Sequence, residues 1–400
     1  MLHPGGHRRD FPAAGRQGSR RDEPERRLRP ASAGLPRREC VNKSREDHSE
    51  LHGHREPDGM EKVMNILVYS VAADSGGALS ILMDFYKKFR ENKANHYYFV
   101  ISTPYLEECD NVTVLRFPQI KKGWGHRFLF EYLRAPRLIR KYHIDEVFSL
   151  TNTVIPFTDV KQILYLQQCL PFIEYHFSWK KSKMLWIYQN IIGYMIKRSV
   201  RRAHQIIVQT KWMKESVSQI VGKSMNTICV KRPDINLEEV NRFSGFREST
   251  IFFYPAGPFL YKNHMLILRA CRRLQEENIL CYRIYFTLAG MENAYAIMLK
   301  NYVQKYKLPV EFIGTLKREE VFKMYSKSVL LFPSYVETLG MPLIEARAAG
   351  CPILATDASF SREVLSGYKE ADLFDKDDWK SLYQKMRLII MRQEAVRKDE

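Results

Sequence analysis

The sequence has 400 residues, of which 45% are hydrophobic and 12% aromatic, and its formal net charge is +18. This length and apolar content allow two domains with buried cores. The positive charge favours an anionic partner, such as nucleic acid, an anionic membrane or a phosphorylated ligand, but says nothing about the fold. Seven scattered cysteines without C-x-x-C spacing argue against a disulfide framework or a zinc ribbon, and favour a reducing compartment such as the cytoplasm.

The first 60 residues differ in composition from the rest of the chain. They contain 12 arginines and one lysine, but a single aromatic residue, Phe11. So few apolar side chains cannot offset the entropy lost on ordering, and we predict that residues 1–60 are a disordered extension or follow a start codon assigned too early. Interspersed acidic residues argue against a basic arm that binds nucleic acid.

From Asn65 the sequence alternates between short apolar runs, typical of buried parallel strands, and helical patterns. A glycine turn, Ser75–Gly77, joins the first strand to a helix with apolar residues at helical spacing. Strands are predicted at 65–70, 98–102, 112–115, 146–150, 162–166 and 205–208, with helices near 126–141, 180–202 and 211–221. This pattern predicts a doubly wound α/β domain.

A second alternation follows a polar segment. Strands are predicted at 251–254, 284–288, 310–313, 329–332 and 352–355, with helices near 263–275, 291–306, 317–325, 341–349 and 376–393. We therefore predict two Rossmann-like domains, 61–234 and 251–400, with a linker at 235–250. The carboxyl edges of two such sheets face a central cleft. No apolar run is long enough to cross a bilayer.

The stretch from Pro333 to Pro352 contains two glutamates around a glycine turn. Glu337 lies in the loop after a predicted strand, and Glu345 lies in the first turns of the next helix. A helix N-terminus attracts phosphate oxygens, and a carboxylate on each side can accept hydrogen bonds from sugar hydroxyls. The arrangement suits a sugar diphosphate, although two isolated glutamates more often cap a loop and face solvent.

The whole string Ser-x-x-Glu-Thr-Leu-Gly-Met-Pro-Leu-Ile-Glu-Ala resembles the E-x7-E signature of family 4 retaining glycosyltransferases. These group-1 enzymes have the GT-B fold. Four shorter stretches support the resemblance by their order, Lys262–His264, Leu288–Gly290, Phe312–Gly314 and Ser361–Val364. Together they extend the resemblance over residues 64–380.

The resemblance implies a role for each matching residue. Glu337 would contact the donor sugar and Glu345 the ribose of the nucleotide. Lys262 would neutralise the leaving diphosphate, as a developing anion requires, although a solvated surface lysine also fits the sequence. The backbone amides that would face the diphosphate belong to Leu339, Gly340 and Met341. The donor would be a UDP- or GDP-sugar, and no further cofactor is implied.

The first domain supplies the remaining candidate residues. In the family, the glycine turn lies against donor and acceptor, which would place Gly76 and Gly77 at the site, although ordinary turn chemistry explains them equally well. Gln167 stands where many relatives have a histidine, and it cannot act as a general base near neutral pH. Gln167 and His176 are our acceptor-side candidates.

Two further departures from the family bear on the site. Many relatives carry an arginine where this sequence has Gly257, so we expect a missing phosphate contact or its replacement by Lys211 or Arg232. Relatives also usually continue into a helix that crosses back to the first domain. The sequence stops at Glu400, so we expect that closing helix to be absent.

The sequence gives no pattern typical of a metal site. Asp375-Lys-Asp377 resembles the metal-binding D-x-D of another glycosyltransferase fold, but it opens a predicted helix, where Asp377 or its neighbour fits an N-cap. His143, His176, His204 and His264 have no ligand spacing. We predict that no metal is bound.

Two basic stretches rich in aromatic residues belong to the first domain, at 121–141 and 179–202. Basic residues with Trp and Tyr suit an anionic membrane surface, here the inner face of the plasma membrane, with peripheral contact. A Rossmann helix with a charged outer face explains the same composition equally well.

The sequence therefore predicts a retaining, metal-independent glycosyltransferase that moves a sugar to a glycan or lipid-linked acceptor, in cell-surface polysaccharide biosynthesis. Two alternatives share the fold, a nucleotide-sugar epimerase and a catalytically inactive binding protein. Intact Glu337, Glu345 and Lys262 argue against the inactive protein, whereas Gly257 and Gln167 favour it. A nucleic-acid partner is not expected, because the sequence has no recognised motif for one.

Overall fold

The structure, a computed structural model, describes residues 62–74, 76–234, 237–238, 240–246 and 249–399, with side chains up to residue 396. Residues 1–60, for which we predicted disorder, are outside the described residues, and so is Ser75 of the glycine turn. Within the described residues, no helix is long and apolar enough to cross a membrane.

The first sheet has seven parallel strands in the order β3-β2-β1-β4-β5-β6-β7. The six predicted strands are present, with shifts of up to two residues at their ends. The sequence pattern missed β7, because it has three residues and an exposed final side chain, Val230. The strands are β1 Asn65–Ser70, β2 His96–Ile101, β3 Val112–Arg116, β4 Glu146–Ser149, β5 Lys161–Tyr165, β6 Gln205–Val208 and β7 Ile228–Val230.

The second sheet has six parallel strands in the order β10-β9-β8-β11-β12-β13. The pattern missed β13, an edge strand whose residues are mostly half-buried or exposed and include Asp372. The strands are β8 Thr250–Tyr254, β9 Tyr282–Phe286, β10 Val310–Phe312, β11 Val329–Phe332, β12 Ile353–Thr356 and β13 Ala371–Phe374. The two predicted doubly wound sheets are thus confirmed.

Helices connect the parallel strands, as parallel pairing requires. The first sheet has α1 Gly76–Glu91, α2 Trp124–Leu129, α3 Ala135–Lys141, α4 Lys183–Ile187, α5 Gly193–Arg202 and α6 Lys211–Val221. The second has α7 His264–Glu276, α8 Ala294–Tyr306, α9 Arg318–Tyr325, α10 Met341–Ala349, α11 Ser359–Val364 and α12 Trp379–Asp399.

Two helices predicted as continuous each contain one π-helical turn. Phe130–Arg134 separates α2 from α3, and Tyr188–Ile192 separates α4 from α5. The sequence pattern did not distinguish these turns from α-helix, because each is a single turn inside a longer helical pattern. Such turns are frequent at functional sites, and both lie in the basic, aromatic stretches identified above.

The two halves of the molecule share part of one hydrophobic core. Val336, in the loop after β11, is buried in a cluster with β5, β6 and α6 of the first sheet. Glu363 of α11 caps helix α6 from the other half. Its carboxylate accepts hydrogen bonds from the amides of Lys211 and Trp212, at 3.0 and 2.9 Å, and from Arg232 at 3.1 Å. This capping replaces the usual N-cap bond, which the side chain of Thr210 does not make.

We expect Glu363→Ala to lower the free energy of unfolding by about 1–2 kcal/mol, because it leaves the first amides of α6 without their charged acceptor. Urea unfolding measures the change. Arg362→Ala is the matched control: Arg362 pairs with Asp357 on the surface, so its loss should cost less than about 0.5 kcal/mol. Equal effects of the two substitutions would contradict the capping role of Glu363.

Candidate active site

Lys262 and Glu337 form an ion pair at the carboxyl edge of the second sheet. Lys262 ends a short 3₁₀ turn after β8, and Glu337 lies in the loop after β11, the strand beside β8. Lys262 Nζ contacts Glu337 Oε1, and the Ser334 hydroxyl donates to the same oxygen at 2.7 Å. The Lys262 and Glu337 side chains are 17% and 16% exposed, so the two charges are partly withdrawn from water and screened less than a surface pair.

The backbone around Lys262 is held by its neighbours. The Tyr254 hydroxyl donates to the carbonyl of Lys262 at 2.7 Å. Asn263 adopts a left-handed conformation, φ 57°, and its side-chain amide donates to the carbonyl of Lys376 at 2.9 Å. Asparagine tolerates this conformation better than most residues, which explains its place between the turn and α7. The lysine therefore projects from a rigid support.

The next residue, His264, is fully buried against the rings of Tyr254 and Phe286, with centroids 4.7 and 5.0 Å away. Neither ring nitrogen has a hydrogen-bond partner among the described residues. Burial, with a smaller contribution from the charge of Lys262, lowers the pKa of His264 to about 3. His264 is therefore a neutral packing residue.

Glu345 lies in α10 with its carboxylate largely buried. The Tyr325 hydroxyl donates to Oε2 at 3.2 Å, and Arg318 lies 3.6 Å from Oε1. Burial raises the pKa of the Glu345 carboxyl, and the positive charge of Arg318 partly opposes this effect. A buried carboxylate held by a neighbouring hydroxyl can accept hydrogen bonds from a ligand in a fixed direction.

Gly340 sets the direction of α10. Its φ is +73°, a conformation that side chains rarely adopt, and an added Cβ would lie 3.2 Å from Leu343 Cδ1. Helix α10 begins at the next residue, Met341, so the first-turn amides, which have no acceptor within the helix, lie at the end of the loop. Leu339 is buried, and only its backbone can contribute to a ligand site.

Thr338 fixes this loop against the first half of the molecule. Its hydroxyl donates to the carbonyl of Gln167 at 2.6 Å. Its own carbonyl accepts from the indole of Trp212 at 2.9 Å and from the hydroxyl of Thr210 at 3.3 Å. Burial raises the pKa of the nearby Cys169 thiol to about 12, so this thiol is protonated and is not a nucleophile at neutral pH.

The Phe259 ring occupies the space beside Gly257, the position where many group-1 enzymes have arginine. A Cβ on Gly257 would lie 3.1 Å from the Phe259 ring, which stacks on Tyr261. Of the two residues expected to replace that arginine, Arg232 pairs with Glu363, and Lys211 begins α6.

The candidate residues of the first half lie in three different places. Gly76, φ +59°, and Gly77 begin α1, and a Cβ on either would meet no atom within 4 Å. Gln167 is held by the backbone contact with Thr338, and its side-chain amide donates to Leu150. His176 is exposed between Tyr175 and Phe177, whose rings contact Tyr335 of the second half. His176 has no described contact with Lys262 or Glu337.

Asp378, which follows the D-x-D stretch, caps helix α12, as we predicted from the sequence for Asp377 or its neighbour. Asp378 Oδ1 accepts from the amides of Lys380 and Ser381 at 3.0 Å each, and Asp375 accepts from the amide of Asp377 at 2.8 Å. Among the described residues, no group of three His, Cys, Asp or Glu side chains could hold a metal ion.

From the sequence we assigned no role to several residues at the site. Thr338, Ser334 and Glu363 lie inside recognised stretches, but their roles depend on contacts that the sequence does not show, and Phe259 contacts the nearby Gly257 and Tyr261. Serines and threonines are common in loops, so only their partners show what they do.

Comparison with known proteins identifies the second half. Residues 238–398 match the family described as glycosyl transferases group 1. This part of the chain is a group 1 glycosyl transferase domain. The chain is 23% identical to the O-antigen chain mannosyltransferase RfbU of Salmonella typhimurium over 262 residues, which is 64% of this chain and 68% of that protein.

Solved structures share the architecture of most of the described region. Sucrose-phosphate synthase from Thermosynechococcus elongatus has a TM-score of 0.65 at 15% identity, covering 82% of this chain and 90% of that chain. HepE from Anabaena in complex with UDP-glucose has a TM-score of 0.58 at 14% identity, covering 83% and 91%. These likenesses establish the fold, and the expected GT-B architecture of the group-1 glycosyltransferases is confirmed.

We expect His264→Phe to reduce the loss of stability in acid. The folded pKa of His264, about 3, lies below the ordinary histidine value near 6.5, so the unfolded chain binds a proton that the folded protein excludes. The free energy of unfolding should therefore fall as pH drops below about 6.5, by up to about 1.4 kcal/mol per pH unit from this residue. Urea unfolding between pH 7 and 4 should show that the free energy of unfolding falls less with decreasing pH in the variant than in the wild type. Parallel pH profiles would contradict a buried neutral His264.

Proposed function

We propose that the protein is a retaining glycosyltransferase that moves a sugar from a UDP- or GDP-sugar to a glycan or lipid-linked acceptor in cell-surface polysaccharide biosynthesis. In this proposal residues 61–234 form the acceptor-side domain, 235–250 the linker and 251–400 the donor-side domain. The observation that carries the proposal is the Lys262–Glu337 pair beside the N-terminus of α10, with Glu345 inside that helix.

The geometry suggests how the charges would be used. Lys262 faces Glu337, so a bound diphosphate would compete with this carboxylate for the lysine. As the bond to the sugar breaks, charge grows on the diphosphate, and a preorganised cation with helix amides stabilises it most at that point. Glu337 would then be available to accept hydrogen bonds from donor sugar hydroxyls, while Glu345 holds the ribose.

Retention of configuration at the sugar's anomeric carbon follows from the mechanism usual for the family, in which the acceptor hydroxyl attacks on the face of the leaving group. A phosphate oxygen of the donor would take the acceptor proton, so the protein need not supply a base. That picture fits Gln167, which cannot exchange protons near neutral pH. The enzyme then mainly orients the two substrates and supplies electrostatic stabilisation.

The similar proteins support the choice of substrates. RfbU is named as an O-antigen chain mannosyltransferase, and HepE was solved with UDP-glucose. Both names fit a nucleotide-sugar donor, and the first fits a polysaccharide acceptor. We also propose that turnover needs no divalent metal, because Lys262 and the amides of α10 can neutralise the diphosphate.

We further propose peripheral contact with an anionic membrane, on the inner face of the plasma membrane. The support is a group of exposed apolar side chains within the two basic stretches, each at least 47% exposed: Trp124, Phe128, Leu129, Leu133, Trp179, Met184, Ile191 and Tyr194. Apolar side chains among Lys and Arg suit the boundary between headgroups and acyl chains.

We expect Glu345→Ala to weaken nucleotide binding and Glu337→Ala mainly to lower kcat. Loss of one hydrogen-bonding partner of a polar ligand costs about 1–3 kcal/mol, which corresponds to about 5- to 150-fold in affinity or rate. Calorimetry with UDP and GDP, and turnover with a panel of nucleotide sugars, separate the two effects. Glu319→Ala, an exposed substitution on α9, is the control and should change neither.

Wild-type nucleotide affinity and turnover in both variants would exclude this donor site. Conversion of the donor alone into a different sugar nucleotide would support an epimerase instead. The same assay in EDTA tests the metal proposal: activity lost in EDTA and restored by manganese would overturn it.

We expect the protein to sediment with anionic vesicles at low salt and to be released as salt rises, because the Debye length falls from about 30 Å at 0.01 M to about 3 Å at 1 M. Each Lys or Arg near such a surface contributes about 1 kcal/mol. Neutral vesicles are the control. Equal binding to both lipids, or binding to neither, would mean that the basic residues only solvate helix faces.

A further inference from the structure

A cavity of about 680 Å³ lies in the first half, away from the Lys262–Glu337 pair. Its walls come from both stretches that contain a π-helical turn, and their aromatic side chains meet, with the Trp124 and Tyr188 rings 6.2 Å apart. The apolar lining residues include Trp124, Phe128, Ile187, Ile191, Ile192 and Ile196. The volume lies within the usual range of small-molecule sites.

The mouth of this cavity is open and apolar. Trp124, Phe128 and Ile191 are each more than half exposed, although they line a concave surface. Large apolar side chains that line a concave surface and remain accessible to water are typical of a binding site.

The floor carries a buried ion pair. Arg127 Nε donates to Glu131 Oε1 at 2.8 Å, and the Tyr69 hydroxyl donates to the same oxygen at 3.2 Å. Burial is the largest single influence and acts to lower the pKa of Arg127, but the charge and hydrogen bond of Glu131, together with Tyr69 and Tyr188, outweigh it and raise that pKa. Both charges are compensated within the protein, so the cavity does not require a charged ligand at this depth.

The other end of the cavity is polar and leads toward the donor site. Thr151, Asn152 and Gln168 line it. Asn152 Oδ1 accepts from the amides of Gln167 and Gln168 at 2.6 and 2.9 Å, and the carbonyl of Gln167 accepts from Thr338. Thr338 is the neighbour of Glu337, so a short run of bonded residues joins the polar end to the candidate active site.

We propose that this cavity binds the apolar chain of an amphipathic acceptor, with the acceptor hydroxyl held toward the donor site at the polar end. This inference rests on the proposed transferase function and narrows its acceptor to a lipid-linked or other chain-bearing glycoside. The chain is bound inside the protein, which differs from adsorption of the helix faces to a bilayer.

The probe is decyl β-D-glucopyranoside, kept below its micelle concentration, with methyl β-D-glucopyranoside as the chain-free control. Calorimetry with the full chain should show decyl glucoside binding at least 10-fold more tightly than methyl glucoside. A thermal melt of each variant shows that it is folded.

Two substitutions on one helical segment separate the cavity from the outer surface. Ile191 lines the cavity, whereas Tyr194, 63% exposed, does not. We expect Ile191→Asn to weaken decyl glucoside binding about 10-fold and Tyr194→Asn less than 2-fold. Gly125→Leu is a second test, because Gly125 lines the cavity and a Cβ there would meet no atom within 4 Å. The larger side chain should fill part of the cavity and weaken decyl glucoside binding about 10-fold, while the variant still folds.

The outcomes distinguish this proposal from the transferase function. UDP and GDP binding, measured in the same variants, should stay at the wild-type level. Absence of decyl glucoside binding, or equal losses in Ile191→Asn and Tyr194→Asn, would overturn the cavity proposal while leaving nucleotide binding to be judged on its own. Absence of nucleotide binding in the wild type would instead overturn the transferase function.

Discussion

The loop between β11 and α10 depends on the contacts of Thr338 with the opposite half of the molecule. The hydroxyl donates to Gln167, and the carbonyl accepts from Trp212 and Thr210. The neighbouring Val336 adds apolar burial against the first sheet. Because a loop with buried polar groups must satisfy them, this loop has few alternative conformations. Glu337, Gly340 and the start of α10 take their positions from it.

The charges at the site are arranged so that each has a partner without a ligand. Lys262 pairs with Glu337, and Glu345 is held by Tyr325 and Arg318. A partly buried charge left alone would be costly, and pairing lowers that cost. In the proposed function, a diphosphate would replace one carboxylate as the partner of Lys262. Stability of the protein without donor and affinity for the donor would then both depend on this ion pair.

The first half contains the apolar cavity, whereas the second half contains the charged residues of the candidate active site. Its two π-helical turns lie in the segments that meet around the apolar cavity. An extra residue in a turn rotates the side chains that follow it, which lets a helix present apolar groups to a cavity as well as to the core. Gln168 lines the polar end of the cavity, and its neighbour Gln167 accepts a hydrogen bond from Thr338 of the second half, so in our proposal the two substrates would meet between the halves.

The sequence by itself determined the alternation of strands and helices, because apolar runs and helical spacing report burial directly. It also determined the residues of the E-x7-E string, since glutamate, glycine and proline have local backbone and charge requirements at a strand-to-helix loop. It could not show that Lys262 pairs with Glu337, that Glu363 caps α6, or that the Phe259 ring takes the space beside Gly257. It also missed the short strand β7 and the edge strand β13, whose few buried residues leave little pattern. The Lys262–Glu337 pair and the Glu363 cap join residues 75 and 152 positions apart, so only the tertiary structure decided them.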